Sequence, residues 1–315
     1  MRLLLALLLA LPLQVIAQYP ARAVHMVVPF PAGGPTDILA RALGRKLAER
    51  WGQPLIVDNK PGAGGAIGSE FVARSAPDGY TLLMATSSTH SIGPALQKLP
   101  YDPLRDFAPV SQVSNATNVL LVSPKLGVTS VQELVALAKA KPGQLNFASS
   151  GIGTIPHLTG ELFKLKAGVD LQHVPYKGTG LSIPDLANGQ IAVLFDSVVT
   201  ALGYAKAGNV RALAISSLKR TPLAPDLPTM AEAGVSGFES ETWFGLFAPA
   251  ATPKDVIARV SADTVAALQS PDLRDRFAAV GAEPVGSTPE QFLERVRTDT
   301  ARWAEIIKAA GVKVQ

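Results

Sequence analysis

Two glycine-rich turns, one in each half of the chain, have the residue types of helix starts that bind anions. The first covers residues 33–37 (GGPTD) and follows the apolar residues Val27, Val28 and Phe30, which suit a strand. The second covers residues 149–154 (SSGIGT). Glycine permits backbone angles that a side chain forbids, and the unpaired N–H groups of a helix start attract negative charge. Two such turns predict two lobes that close on an anion.

The chemistry of these turns leaves the kind of anion open. Neither turn contains arginine, so a bidentate guanidinium clamp is not predicted. A dicarboxylate, or a carboxylate with a polar tail, suits two facing helix starts, but phosphate and sulfate also bind helix starts. Asp196 follows the apolar residues of a predicted strand. It either accepts hydrogen bonds from an amino or hydroxyl group of the ligand or caps the helix that begins at Ser197.

Four further residues have a structural interpretation beside a functional one. Asp37 either caps its helix or contacts the ligand, and His157 is either a ligand contact or a structural hydrogen-bonding group. Tyr176 either faces the cleft or closes the turn that follows it. Trp243 either lines the mouth of the cleft or packs at the hinge.

Signals for catalysis are weak. Residues 216–219 (SSLK) satisfy S-x-x-K without its companion motifs, and residues 148–151 (ASSG) lack the first glycine of a G-x-S-x-G elbow. The four histidines, at 25, 90, 157 and 173, form no close ligand pair, and there is no cysteine, so neither a metal nor a disulfide is predicted. The glycine run 62–68 (GAGGAIG) has its third glycine one residue late for a dinucleotide loop, which favours a tight helix start. We expect no cofactor and no enzymatic activity, with a serine acylase or hydrolase as the alternative of a different class.

The N-terminus has the pattern of a secretion signal. A basic residue at Arg2 precedes an apolar run over 3–13, and residues 15–17 (VIA) fit a small-residue cleavage site. The run is too short to span a bilayer. Residues 1–17 are therefore predicted to be a signal peptide and the mature protein to be periplasmic.

The composition argues against a nucleic-acid partner. The net charge is only +4, and aromatic residues make up 6% of the sequence. Nucleic-acid binders usually carry a clustered stripe of basic residues, which this sequence lacks, so no nucleic acid partner is expected.

Strand-like and helix-like segments alternate along the chain, which predicts an α/β protein with mainly parallel sheets. The predicted strands cover residues 24–30, 55–59, 81–86, 119–123, 145–149, 171–175, 191–196 and 210–216. The predicted helices cover residues 37–51, 63–75, 131–140, 154–167, 183–187 and 198–207, followed by a helical C-terminal region over 253–269, 271–280 and 289–310. Crossings near 119–123 and 241–248 place lobe 1 at 18–121 with 242–315 and lobe 2 at 122–241, joined by a hinge.

Several motifs of this sequence resemble those of one known protein family. Residues 29–37 (PFPAGGPTD) resemble the first signature of the Bug family, the periplasmic solute-binding proteins of tripartite tricarboxylate transport systems. Further matches follow in the family's order over nearly the whole chain beyond residue 17: 59–65, 77–83, 99–102, 157–163, 174–178, 211–214 and 243–246. Residues 250–253 (AATP) depart from the family, which commonly has a glycine before the Thr-Pro.

The resemblance implies a type II, Venus-flytrap binding protein that holds a carboxylate between its lobes through backbone amides. Carried over to this sequence, the implied ligand contacts are Phe30, Gly33, Gly34, Asp37, Thr86, Ser87, Ser88, Ser149, Gly151, Gly153, Thr154, His157, Tyr176 and Asp196. The implied partners are a small organic carboxylate and the membrane permease subunits of a tripartite tricarboxylate-type transporter. A monomer is expected. A ligand sensor that hands its closed form to a two-component receptor is the alternative within the binding class.

Overall fold

The computed structural model describes residues 19–312. The signal peptide predicted over residues 1–17 lies outside this range. Within it, no helix is long and apolar enough to cross a membrane. The fold is α/β, as predicted, and its strands form one ten-stranded sheet in the order β2-β1-β3-β9-β4-β7-β5-β6, with β8 and β10 paired to β4.

The strands are β1 (Val24–Val28), β2 (Leu55–Asn59), β3 (Thr81–Thr86), β4 (Phe107–Val122), β5 (Asn146–Ser149), β6 (Gln172–Pro175), β7 (Val193–Ser197), β8 (Arg211–Ile215), β9 (Glu241–Pro249) and β10 (Ala282–Pro284). The helices are α1 (Pro35–Trp51), α2 (Ala66–Ala73), α3 (Gly93–Leu96), α4 (Val131–Ala140), α5 (Ile155–Ala167), α6 (Ile183–Asn188), α7 (Val198–Lys206), α8 (Lys254–Gln269), α9 (Pro271–Ala278) and α10 (Pro289–Ala310).

The sheet has two halves. In the first half-sheet β1 pairs in parallel with β2 and β3, and in the second β5 pairs in parallel with β6 and β7. Each half therefore has a parallel core, and the ends of its strands meet at one edge, where loops leading to helices build sites.

Two long antiparallel strands join the halves. β4 pairs with β9 over Phe107–Thr117 and with β7 over Asn118–Val122, so a single strand runs from the first half-sheet into the second. β9 in turn pairs with β3. The crossing strands predicted near 119–123 and 241–248 are thus present. We refer to each half-sheet with its helices as lobe 1 and lobe 2, whose residue boundaries remain a prediction.

The first part of β4 was missed by the sequence prediction, which placed a strand only over 119–123. The run 111–118 (SQVSNATN) is polar, yet Ser111 and Asn118 are buried. Ser111 Oγ donates to Ser287 O at 2.8 Å, and Asn118 Nδ2 donates to Ser240 O at 3.2 Å. A strand with neighbours on both edges buries polar side chains when such partners are available.

Helices cover the sheet through apolar stripes. Leu39, Leu43 and Leu47 of α1 are completely buried, and their spacing places them on one face of the helix. At the other end of the chain, Trp303 of α10 is also completely buried. α10 begins with a capping box between Thr288 and Gln291. The C-terminal helices therefore form part of the packed core.

Candidate functional site

A cavity of about 330 Å³ lies where the lobes meet. Its first wall, from lobe 1 and the crossing strands, consists of Phe30, Pro31, Ala32, Gly33, Gly34, Pro35, Thr36, Thr86, Ser88, Asn118, Thr242 and Phe244. Its second wall, from lobe 2, consists of Ser150, Ile155, Pro156, Gly178, Thr179, Gly180, Leu181, Asp196, Ser197 and Tyr204.

The turn between β1 and α1 is held in place by Asp37. Its carboxylate accepts hydrogen bonds from Gly33 N at 2.9 Å, Arg41 Nε at 2.9 Å and Asn59 Nδ2 at 3.0 Å. Gly33 has a φ of 78°, which favours glycine at this position. Asp37 lies behind the turn and is not part of the cavity wall.

Asp37 is negatively charged. Burial acts to raise the pKa of its carboxyl, but the hydrogen bonds from Arg41, Gly33 N and Asn59 outweigh burial and hold the pKa below its usual value. Because the charge is engaged by these three partners, Asp37 orders the turn. Its predicted second role, as a ligand contact, remains a prediction.

The start of α1 offers unused donors to the cavity. Pro35 at the first helical position has no N–H, and the next two amide groups, Thr36 N–H and Asp37 N–H, precede the first intrahelical bond, Ile38 N to Gly34 O. Neither has a hydrogen-bond acceptor among the described residues. Since Thr36 lines the cavity, this helix start presents positive partial charge to a ligand.

Hydroxyl groups follow at the end of β3. Thr86 and Ser88 line the cavity, and Thr86 Oγ1 accepts from Ser88 N at 3.2 Å. Ser88 Oγ accepts from Ile155 N, the first amide of α5, at 3.0 Å. This bond connects the end of β3 in lobe 1 directly to the start of α5 in lobe 2. Ser87 is buried outside the cavity wall.

The turn between β5 and α5 is held by several hydrogen bonds of its own. Gly151 N donates to Ser149 Oγ at 3.1 Å, and Thr154 Oγ1 donates to Gly151 O at 2.7 Å. Gly153 N donates to His157 Nδ1 at 3.2 Å. Ser150 is the residue of this turn that lines the cavity. These bonds hold the backbone of the second turn in place.

Two stacked histidines support this turn from behind. The rings of His157 and His173 have centroids 4.0 Å apart, and His173 Nε2 lies 2.6 Å from Ser149 Oγ. Burial lowers the pKa of His157 to about 3 and that of His173 to about 4. Both rings are neutral, which leaves the Nδ1 lone pair of His157 available to accept from Gly153 N.

Asp196 is the acidic residue of the second wall. It is 1% exposed, and its carboxyl oxygens accept hydrogen bonds from Thr179 Oγ1 at 2.8 Å and Thr200 Oγ1 at 2.7 Å. Burial raises the pKa of Asp196, although these hydroxyls act against the shift. Tyr204 lies on the same wall, and its pKa is raised by burial and by the charge of Asp196.

A second cavity of about 360 Å³ adjoins the first and shares Phe30 and Ser150 with it. Tyr176, a predicted ligand contact, lines this second cavity, and its hydroxyl donates to Asp185 Oδ2 at 2.5 Å. The glycine run over 62–65 lies opposite. It forms a short 3₁₀ turn that leads into α2, which agrees with a tight helix start.

The structure brings part of the predicted site together. The predicted residues that line the first cavity are Phe30, Gly33, Gly34, Thr86, Ser88 and Asp196. Gly151 lines the second cavity with Tyr176. Those that line neither cavity are Asp37, Ser87, Ser149, Gly153, Thr154 and His157. Trp243 is fully buried and donates to Asp299 Oδ2 at 2.9 Å, so it packs at the crossing strands.

Sequence reasoning missed several cavity residues, chief among them Asn118, Thr179, Tyr204, Thr242 and Phe244. Thr242 and Phe244 belong to a strand that was expected to cross between lobes, so they could have been proposed as the floor of a cleft. Thr179 and Tyr204 have no local sequence signal.

The cavity wall lacks cationic side chains: within residues 19–312, no lysine or arginine lines it. The same range contains no group of three or more His, Cys, Asp or Glu side chains that could hold a metal ion. Charge stabilisation of a ligand anion at this wall therefore depends on amide and hydroxyl dipoles.

Two lobes joined by crossing strands, with a cavity between them, define a periplasmic binding protein. The family model described as tripartite tricarboxylate transporter family receptor, TctC, matches residues 39–312. The chain belongs to this family. Its members are substrate-binding receptors and not enzymes, as the sequence predicted.

Individual relatives agree with this assignment. Protein BugT of Bordetella pertussis is 42% identical over 299 residues, which cover 94% of this chain and 92% of BugT. The R. palustris protein Rpa4515, solved with adipate, is 37% identical with a TM-score of 0.91, covering 94% of this chain and 99% of that one. MatC from Rhodopseudomonas palustris, solved with bound malate, is 34% identical with a TM-score of 0.87, covering 92% and 100%. The predicted resemblance to the Bug family is confirmed.

Proposed function

We propose that this protein captures a small organic carboxylate between its two lobes and delivers it to the membrane subunits of a tripartite tricarboxylate-type transporter. The observation that carries the proposal is the start of α1, where the free amide groups of Thr36 and Asp37 adjoin a cavity wall that also bears the hydroxyls of Thr86 and Ser88. Amide and hydroxyl donors at a helix start suit a carboxylate.

Two relatives support the ligand class. The R. palustris protein was solved with adipate and MatC with malate, and both share this fold at more than 30% identity. Both ligands are small carboxylates. A cavity of about 330 Å³ is of the size that small-molecule sites have.

Capture involves closure of the lobes in this proposal. Ser88 of lobe 1 and Ile155 of lobe 2 form a direct hydrogen bond at the cavity, so ligand binding and lobe contact share the same groups. Binding thus favours the closed arrangement, because a ligand shifts an equilibrium toward the state that it binds better. The mature chain acts in the periplasm as a monomer, with lobes over 18–121 with 242–315 and over 122–241. A surface formed across both lobes would present the closed form to the permease.

Thermal unfolding against a ligand panel tests the proposal. The full chain is expressed for export, purified from the periplasm and stripped of bound ligand by reversible unfolding. The panel contains mono-, di- and tricarboxylates, amino acids, phosphate and sulfate. A ligand at 100 times its Kd stabilises by about 2.7 kcal/mol, which shifts Tm by about 4–5 °C in a protein of this size. A shift confined to carboxylates supports the proposal, and a selective shift with phosphate or sulfate overturns it.

A further inference from the structure

The second wall of the cavity contains a buried acid without a cationic partner. Asp196 is 1% exposed, and its hydrogen-bond donors are the neutral hydroxyls of Thr179 and Thr200. No lysine or arginine of the described residues lines the cavity that it faces. A buried carboxylate is costly unless it is paired or fully hydrogen-bonded. A ligand group that donates hydrogen bonds or carries positive charge would therefore stabilise the carboxylate form of Asp196.

Asp196 retains the capacity to accept further hydrogen bonds. A carboxylate has about four lone-pair sites, and two protein hydroxyls donate to Asp196. Tyr204 adds a hydroxyl on the same wall, and this hydroxyl has no hydrogen-bond partner among the described residues. A Cβ atom built on Gly180 lies 3.2 Å from the Tyr204 hydroxyl, so the hydroxyl is held close to the Thr179–Gly180 backbone. The second wall thus combines an acid that has no cationic partner with a hydroxyl that can donate or accept a hydrogen bond.

The two walls differ in the ligand groups that they suit. The first offers the free N–H groups at the start of α1, which suit a carboxylate. The second offers the carboxyl oxygens of Asp196 and the hydroxyl of Tyr204 as acceptors, which suit an ammonium or hydroxyl group better than a second carboxylate.

We propose that Asp196, with Tyr204 beside it, forms a distal subsite that selects carboxylates carrying an amino or hydroxyl group at their far end over dicarboxylates of the same length. This inference rests on the proposed function, because it places the near carboxylate at α1. The preferred ligand of this protein would then differ in chemical class from adipate, the dicarboxylate with which the R. palustris relative was solved.

Two matched ligand series test the subsite. The six-carbon series is hexanoate, 6-hydroxyhexanoate, 6-aminohexanoate and adipate, and the four-carbon series is butyrate, 4-hydroxybutyrate, 4-aminobutyrate and succinate. Isothermal titration of the ligand-stripped protein with each compound gives eight affinities. In at least one series, we expect the amino or hydroxy acid to bind at least about tenfold more tightly than the dicarboxylate, a difference of about 1.4 kcal/mol.

Variants then assign the preference to the residue. Asp196→Asn keeps the shape and removes the charge, so the advantage of the amino acid over the dicarboxylate is expected to fall at least about tenfold. Tyr204→Phe provides a second variant with a milder loss for the hydroxy acid. Asp226→Asn, at an exposed aspartate outside both cavities, is the matched control and should retain the wild-type ratios.

The outcomes separate the two proposals. If the dicarboxylate binds more tightly than both analogues in both series, the subsite inference is overturned and carboxylate capture stands. If the wild type prefers the amino acid but Asp196→Asn preserves that ratio, the assignment to Asp196 is wrong. If none of the eight compounds binds at millimolar concentration, both the inference and the proposed function for these chain lengths are contradicted.

Discussion

Gly34 shows how a single residue can be tested as part of the carboxylate wall. Its φ of −77° and ψ of 170° are extended, and a Cβ atom there meets only Pro31 O, at 3.3 Å. Gly34→Val therefore adds a β-branched side chain to the cavity wall at a modest cost to the fold. We expect the Kd for the preferred carboxylate to rise by more than about tenfold, a loss of at least about 1.4 kcal/mol, measured by titration calorimetry.

The matched control is Gly203→Val, in α7, where an added Cβ atom meets nothing within 4 Å. Its Kd should equal that of the wild type. Normal binding by Gly34→Val would show that the near carboxylate lies elsewhere.

The histidine pair makes stability depend on pH. His157 and His173 are neutral in the fold, with pKa values of about 3 and about 4, whereas an unfolded histidine titrates near its ordinary value of 6.5. Between pH 6.5 and about 4 the unfolded chain therefore binds more protons at these residues, and their contribution to stability falls as the pH falls. Lys164 adds positive charge near both rings, which acts in the same direction.

His173→Gln isolates this effect, because glutamine can still hydrogen-bond Ser149. We expect the variant to lose stability at pH 7.5, and its deficit relative to the wild type to be smaller at pH 4.5 by about 1–2 kcal/mol. Urea unfolding at both pH values measures the difference. The comparison with the wild type cancels the opposite contribution of Asp196, whose pKa is raised. An equal deficit at the two pH values would refute the interpretation.

At the scale of the elements, β9 and α10 are joined by one buried polar contact. Trp243 Nε1 donates to Asp299 Oδ2 at 2.9 Å, and the Trp243 ring meets Phe292 edge-on with centroids 5.2 Å apart. Trp243→Phe removes ring volume and leaves the buried Asp299 without this donor. We expect a loss of about 2–4 kcal/mol in unfolding free energy from these two causes.

Ligand affinity should stay within about twofold of the wild type, because Trp243 lines neither cavity and twofold is only about 0.4 kcal/mol. Chemical denaturation and calorimetry measure the two quantities on one protein. A large loss of affinity with little loss of stability would contradict this prediction and indicate that Trp243 lines the mouth of the cleft.

The elements also show what the sequence can and cannot predict. Local patterns suffice for α1, whose leucine stripe and glycine turn are contiguous, and for β3, whose central residues 82–85 are all apolar. They fail for the first part of β4, because its Ser111 and Asn118 find partners at Ser287 and Ser240, far along the chain. Burial of polar side chains depends on such distant partners, which no local window contains.

The residues of the candidate site also differ in whether the local sequence predicts them. Gly33 and Gly34 of the first wall are predictable, since a glycine turn before a helix is a local pattern. Thr179 and Tyr204 of the second wall are not, because they reach the cavity only when a short 3₁₀ turn and α7 face lobe 1. Asp196 lies between these cases: its strand end was predictable, and its two threonine partners were not.

At the scale of the whole molecule, glycines allow the lobes to approach each other. A Cβ atom built on Gly64 lies 2.7 Å from Ile152 O, and one built on Gly178 lies 2.8 Å from Pro31 Cγ. Both pairs join lobe 1 to lobe 2 beside the cavities. Contacts under 3.0 Å require something to shift, so side chains at these positions hold the lobes apart.

Gly178→Ala tests the proposed closure, because its effect falls on the closed form alone. Gly178 has a φ of 174° and a ψ of 147°, an extended conformation that alanine adopts without strain when the lobes are apart. We expect weaker ligand binding, by about 5–30-fold for a contact costing about 1–2 kcal/mol, and a smaller ligand-induced decrease in the radius of gyration by X-ray scattering. Since Gly178 also lines the cavity, direct interference with the ligand is the competing explanation. Pro31→Ala removes the ring atom that the added methyl group would meet. If the lobes collide, the double variant Gly178→Ala/Pro31→Ala should therefore recover most of the affinity and of the compaction. If the alanine meets the ligand instead, the double variant should recover neither.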